Sequence, residues 1–286
     1  MKKLSILTAA LLTANTALAD SNKLTLDVYN AGPGSFNVNS TVVYGETEAM
    51  VVDSGFSKAD ALRIAAKVLD SGKELKTIFI SQADPDYYFG AEVLHELFPK
   101  ANILTTPAVK AVIEEKLQKK LAFWGPKLAA NAPVKPVVPE AYTQNTLTVD
   151  GHIIEIRGTQ DLLAHRPYLW IPDNKAILGN VSVFGNMHLW MADTQTDESI
   201  KAWSAQLTEM LALKPEVVIP GHMKAGTNLS AETIGYSQGY INDFKTAKAN
   251  SKNSAELIEK MSAKYADPTS LSLAIGAKVH TGEMKW

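Results

Sequence analysis

A chain of 286 residues with a formal charge of −2 and 46% hydrophobic residues can bury a large core in one layered domain or two. It has no cysteine, which excludes disulfides and a cysteine nucleophile, and its basic residues are scattered along the sequence, which argues against nucleic acid and anionic membrane as partners. Nothing in the composition points to disorder, coiled coil or internal repeats.

The N-terminus opens with Lys2 and Lys3, continues through an apolar stretch over 4–12, and reaches Ala17-Leu18-Ala19. A short positive region, a short apolar core and an A-x-A site describe a cleavable secretory signal, too short to be a stable membrane span. The expected organisation is a signal over 1–19 and one domain over 20–286, soluble in a periplasm or outside the cell. Without disulfides, the core of such an exported chain must hold it together alone.

Strands are predicted over 24–29, 40–44 and 49–53, with Gly45-Glu46 as the turn between the last two. Ser57 with Asp60 resembles a capping box, and Leu62, Ala65 and Leu69, with Ile64 and Val68 alongside, form a helix stripe that stops at Gly72. A buried strand over 77–80 precedes a helix over 91–98, a strand over 102–105 and a helix over 107–123. Pro126, Pro133, Pro136 and Pro139 make 125–140 a long connection. Strands resume over 146–149, 152–157, 168–171 and 176–178, the last two joined by an Asp173-Asn174 turn. A helix over 197–213 leads into 217–219 and then Pro220-Gly221-His222, and from Ser230 onward the chain reads as helical.

Two similar half-patterns of strands and helices suit an α/β, four-layer αβ/βα sandwich, two sheets face to face with helices outside, plus a C-terminal helical extension. A doubly wound sheet is disfavoured by the consecutive hairpins and by the absence of a Gly-rich turn after the first strand.

After the strand at Ile80 stands Ser81-Gln82-Ala83-Asp84-Pro85-Asp86-Tyr87-Tyr88-Phe89-Gly90. This resembles the H-x-H-x-D-H-x-x-G motif of the metallo-β-lactamase superfamily, with Gln82 and Asp84 at the first two histidines, Asp86 at the aspartate and Tyr87 at the third histidine. Asp53-Ser54-Gly55 resembles that family's D-x-G turn, Leu178-Gly179-Asn180 its later G-D hairpin end, and Ile219-Pro220-Gly221-His222 the strand that delivers its final histidine. The resemblance implies that fold and a hydrolase whose clustered ligands hold one or two zinc ions and activate water.

The motif departs from the family at most ligand positions. Gln82 offers a weak amide oxygen, Tyr87 would have to ionise, Asn180 replaces a bridging carboxylate, and only Asp161 has ligand chemistry where the middle histidine is expected. Asp84, Asp86 and His222 remain as candidate ligands for one divalent ion, zinc, manganese or iron, an oxygen-rich set that suits the harder ions. The alternatives are no metal at all, with the two aspartates capping the following helix.

Asp86 and His188 are the candidate catalytic groups; His188 is a general base or substrate contact, or else packed between aromatics. Tyr87, Tyr88, Trp124 and Trp190 are candidate substrate-binding residues, forming an aromatic wall for a small molecule unless core packing claims them. His95, His152, His165 and His280 read as structural or exposed. Two functions follow: an exported hydrolase of an ester, lactone or amide, or a non-catalytic exported binding protein that keeps the fold without metal. Oligomeric state is not legible.

Overall fold

The computed structural model describes residues 23–266 and 270–286. The predicted signal over 1–19 and its cleavage point lie outside them.

β1 (Thr25–Asn30), β2 (Asn39–Tyr44) and β3 (Glu48–Val52) form an antiparallel meander, and α1 (Lys58–Ser71) carries the chain to β4 (Glu74–Phe79), parallel to β3. Next come α2 (Pro85–Tyr88), α3 (Ala91–Leu97), β5 (Asn102–Thr105), α4 (Pro107–Leu128) and β6 (Glu140–Ala141). These strands make one sheet in the order β1-β2-β3-β4-β5-β6. The second half contributes β7 (Thr146–Val149), β8 (His152–Arg157), β9 (Tyr168–Ile171), β10 (Ala176–Leu178), β11 (Phe184–Gly185), α5 (Asp197–Ala212), β12 (Val217–Val218) and β13 (His222–Met223). Its sheet runs β12-β10-β9-β8-β7, while β11 and β13 pair separately in parallel. α6 (Glu232–Ala249), α7 (Ser254–Lys264) and α8 (Leu271–His280) close the chain.

Side-chain alternation along the strands separates the layers. Val43, Met50, Val52 and Phe79 meet Ile154, Ile156, Leu169 and Leu178 between the two sheets. Their sequence neighbours Val42, Val51 and Ile78 face outward onto Ile64 and Val68 of α1 and Ile113 of α4. Across the molecule, Tyr168, Trp170 and Ile177 pack against Trp203 and Leu207 of α5, within a cluster that includes Tyr240 of α6, Leu257 of α7 and Leu273 of α8. The architecture is therefore the four-layer sandwich, and the C-terminal helices belong to its outer layer.

Three local expectations are corrected. On α1 the buried face is Ala61, Ile64, Ala65 and Val68, while Leu62 and Leu69 are 54% and 68% exposed; hydrophobic type alone misplaced the stripe by part of a turn. The helix that the capping alternative ran from Tyr87 to Phe98 is two helices: α3 stands where a helix over 91–98 was predicted, and α2 is separate, with the Gly90 N–H between them donated to Gly55 O. α4 runs to Leu128, through Pro126; the preceding residue, Gly125, has no Cβ to clash with the proline ring, which permits the helical turn. The Ser57–Asp60 capping box is present, and Asp60 also accepts from Tyr29 and Ser35, tying β1 and the turn before β2 to α1.

Candidate functional site

The turns that follow β3, β4, β10 and β12 meet at one edge of the sandwich. Asp53 and Ser54 follow β3, and the Asp53 carboxylate accepts from the backbone N–H and hydroxyl of Ser81 at 2.7 and 2.8 Å. Asn39 of β2 donates its side-chain amide to Pro220 O and its backbone N–H to Gly221 O, which seats the turn before β13. The amide of Asn180 donates to Ile219 O and accepts from Val183 N–H. Buried polar groups thus tie the β3 turn to the β4 turn and the β10 turn to the β12 turn, and the Tyr87 hydroxyl, donating to Asn180 O, joins the two pairs.

Within this frame the His222 Nε2 lies 3.5 Å from an Asp86 oxygen, and both side chains are largely buried. His222 Nδ1 donates to Phe36 O at 3.0 Å; a carbonyl can only accept, so the ring proton sits on Nδ1 and the Nε2 lone pair faces Asp86. Burial pushes the His222 pKa down to about 4. Burial, then repulsion by Asp84, holds the Asp86 carboxyl well above the usual range. Both shifts favour an uncharged pair at neutral pH. Asp53 is raised to about 7, chiefly by burial and against the two Ser81 donors.

The donors at the family's ligand positions do not fit a zinc centre. Gln82 donates its amide to Pro167 O at 2.9 Å. Tyr87 is fully buried, donates to Asn180 O at 3.1 Å, and is held protonated chiefly by burial, with Asp86 repelling the phenolate. Asp84 is half-exposed and ion-paired to Lys120 at 3.4 Å. Asp161 is exposed on the turn after β8. Among the described residues, no group of three or more His, Asp or Glu side chains is gathered so as to hold a metal ion, so the expected ligand set Asp84, Asp86 and His222 is not assembled. Nor does Asp84 act as the expected cap: it occupies the N-cap position of α2 but makes no side-chain cap hydrogen bond.

The other predicted residues are dispersed. His188 is fully buried in the C-terminal core, its Nδ1 2.9 Å from Tyr240 Oη and its ring against Tyr240 and Tyr265, so it does not stand at a mouth. The aromatic wall separates into distinct groups. Tyr87 and Phe184 enclose His222, the Phe184 ring stacking on the imidazole at 5.2 Å. Tyr88 is buried in the α1–α4 core and meets Phe89 edge-on. Trp124 packs edge-on against Phe36 and Phe56, and Trp190 pairs with Trp286. The sequence reading missed Phe36, Phe184 and the Asp53–Ser81 contact. It also missed a local gathering of cations, since Lys120 reaches Asp84 while the turn carrying His165 and Arg166 is anchored at Gln82 through Pro167. The D-x-G turn was the one available signal for Asp53.

Removing the Tyr87 hydroxyl isolates its contribution to this edge. Tyr87→Phe leaves a buried carbonyl at Asn180 without that donor and is expected to lower unfolding free energy by about 1–2 kcal/mol, measured by urea denaturation. An unchanged midpoint would mean that the hydroxyl contributes nothing to closing the site.

The sequence profile of the metallo-beta-lactamase superfamily matches residues 33–222. No curated protein sequence matches the chain significantly. Among solved structures, the fold is similar to a metallo-beta-lactamase family protein from Thermus thermophilus, with 14% identity, 90% of this chain and 91% of that one covered, and a TM-score of 0.64. It is also similar to the DIM-1 metallo-beta-lactamase, with 18% identity, coverage of 77% and 97%, and a TM-score of 0.54. A metallo-beta-lactamase from Pontibacter korlensis aligns with 15% identity, coverage of 77% and 93%, and a TM-score of 0.52. At these identities the likeness speaks for the fold alone.

Proposed function

The chain belongs to the metallo-β-lactamase superfamily and so to a hydrolase-like lineage, and we propose that it is an exported member that binds a small molecule without the family's metal chemistry. One observation carries this reading: at the strand ends, Asp86 and His222 form a buried pair that favours its uncharged form, where a metal site needs ionised carboxylates gathered with imidazoles. The lone pair of His222 faces Asp86, and Asp84 is drawn outward to Lys120. This chain's groups therefore have protein partners where the family presents open coordination positions.

Export, with a mature chain from Asp20, is the part of the proposal that rests on the N-terminal sequence. No helix of the described residues is long and apolar enough to cross a membrane.

A second reading is a hydrolase of an ester, lactone or amide with one rebuilt metal. The Asp86–His222 contact favours it, since two candidate ligands already touch and the charge of Asp84 acts on both. It requires Asp86 to ionise and Asp84 to leave Lys120. Hydrolysis of 4-nitrophenyl acetate, a γ-lactone and a chromogenic cephalosporin by the mature protein separates the two readings. The binding reading predicts no rate above buffer for any of the three, with or without added zinc or manganese. A metal-dependent rate abolished in both Asp86→Ala and His222→Ala would establish the hydrolase instead.

A further inference from the structure

The contacts Lys120–Asp84 and Gln82–Pro167 fasten two elements, α4 and the turn before β9, to residues 82–84. Each brings cations with it. Lys116 and Lys120 stand one helical turn apart on α4, and His165 and Arg166 occupy the turn. The His165 imidazole feels Arg166 and Lys116, cations from both elements, and against them the carboxylates of Asp84 and Asp193. Arg166 is held by neutral oxygens, Thr194 Oγ1 at 2.8 Å and the Asp193 carbonyl at 3.4 Å. Among the described residues neither it nor Lys116 has an ion pair; the anions facing this group are Asp84, at Lys120, and Asp193, which also acts on His165.

An aromatic ledge adjoins these charges, with the Lys127 ammonium over one face of Phe123 at 3.4 Å from the ring centroid. One turn beyond Lys120, the half-buried Trp124 leans on Phe36 and Phe56, and Phe123 beside it is 55% exposed. Phe36 is the residue whose carbonyl holds His222, so the ledge borders the closed site itself.

We propose that this mouth binds a small apolar carboxylate, its charged end among Lys116, Lys120 and Arg166 and its body along Trp124 and Phe123. Such a ligand replaces Asp84 as the partner of Lys120. That exchange costs little, because an ion pair this exposed is weak. The proposal rests on the reading of the site as a metal-free binding mouth and names its ligand class.

Calorimetric titration of the mature protein with octanoate, and with octanamide as the neutral analogue, tests it. Octanoate is expected to bind saturably at one site and more tightly than octanamide. The Lys116→Gln/Lys120→Gln double variant is expected to weaken octanoate by roughly threefold to tenfold, and Asp84→Asn to strengthen it by roughly twofold to fivefold. Opposite responses to the two changes would not come from a general loss of structure, which thermal melts of each variant check. No saturable octanoate binding, equal binding of octanamide, or an unchanged affinity in the double variant would overturn the proposal. Metal content measured on the same sample separates the two ideas. Bound metal with octanoate binding defeats the metal-free reading alone, and no metal with no octanoate binding defeats the carboxylate alone.

Discussion

Gly221→Ala is expected to abolish folding, or to leave a chain destabilised by about 3 kcal/mol or more. A methyl group at this position would sit 2.0 Å from Asn180 O and 2.5 Å from the Tyr87 hydroxyl. Neither can retreat easily. Tyr87 is fully buried, and the Asn180 side chain is bound to both Ile219 and Val183. Gly221 itself is pinned on both sides, its N–H donating to Val183 O and its carbonyl accepting from Asn39 N–H. The glycine is thus where β13 and the end of β10 approach closely enough to deliver His222. Gly32→Ala is the control: nothing lies within 4 Å of its added carbon, and its stability should stay within about 0.5 kcal/mol of wild type. Urea denaturation of both variants measures the difference, and a Gly221→Ala protein as stable as the control would show that the strand ends are looser than described.

Asp53→Asn is expected to act in the opposite direction and to stabilise the protein at pH 8. The carboxyl of Asp53 has a folded pKa of about 7 against an ordinary value of 3.8. Between those values the folded state keeps a proton that the unfolded state releases, so wild-type stability falls as pH rises through that window. The amide carries no such linkage. The gain is therefore absent below about pH 4, grows through the window, and reaches on the order of 4 kcal/mol above it. Asn tolerates the left-handed backbone found at Asp53 (φ 65°), can still accept from Ser81 N–H, and can donate to the Ser81 hydroxyl once that group turns to accept. His222 works against Asp53 in the wild type: its pKa is lowered to about 4, so its contribution is present above pH 6.5 and is lost as pH falls toward 4. Thermal melts of wild type and Asp53→Asn from pH 4 to pH 8 check the sign. A variant less stable than wild type at pH 8 would mean that Asp53 is ionised in the fold and held by its hydrogen bonds.

Much of this architecture was legible because it depends on periodicity and on turn chemistry. The β1–β3 meander, the capping box at Ser57 and the Asp173-Asn174 hairpin are local signals, and each falls where the sequence placed it. The order of D-x-G, the degenerate motif and Pro-Gly-His carried the family, since those turns must converge at one edge of the sandwich. Side-chain partnerships were not legible. His188 appeared to border a mouth because its own segment follows β10, but its environment is made by Tyr240 and Tyr265, which come from distant helices. Lys116, Lys120 and Arg166 looked like scattered charges because α4 and the turn before β9 meet only in three dimensions. Tyr88, the next residue on α2, faces the α1–α4 core while Tyr87 faces His222, and Trp124 lies on α4, so a run of aromatics in sequence did not become one wall in space. The upward pKa shifts of Asp53 and Asp86 come chiefly from burial, which no spacing reveals.

The most direct test of the account is the metal content of the mature protein, purified without chelators or a histidine tag and incubated with zinc, manganese and iron before elemental mass spectrometry. Far less than one equivalent of any metal is expected, with the same result for Asp86→Ala. Near-stoichiometric metal in the wild type, lost in Asp86→Ala, would contradict it and show that Asp86 and His222 rearrange into a working coordination site.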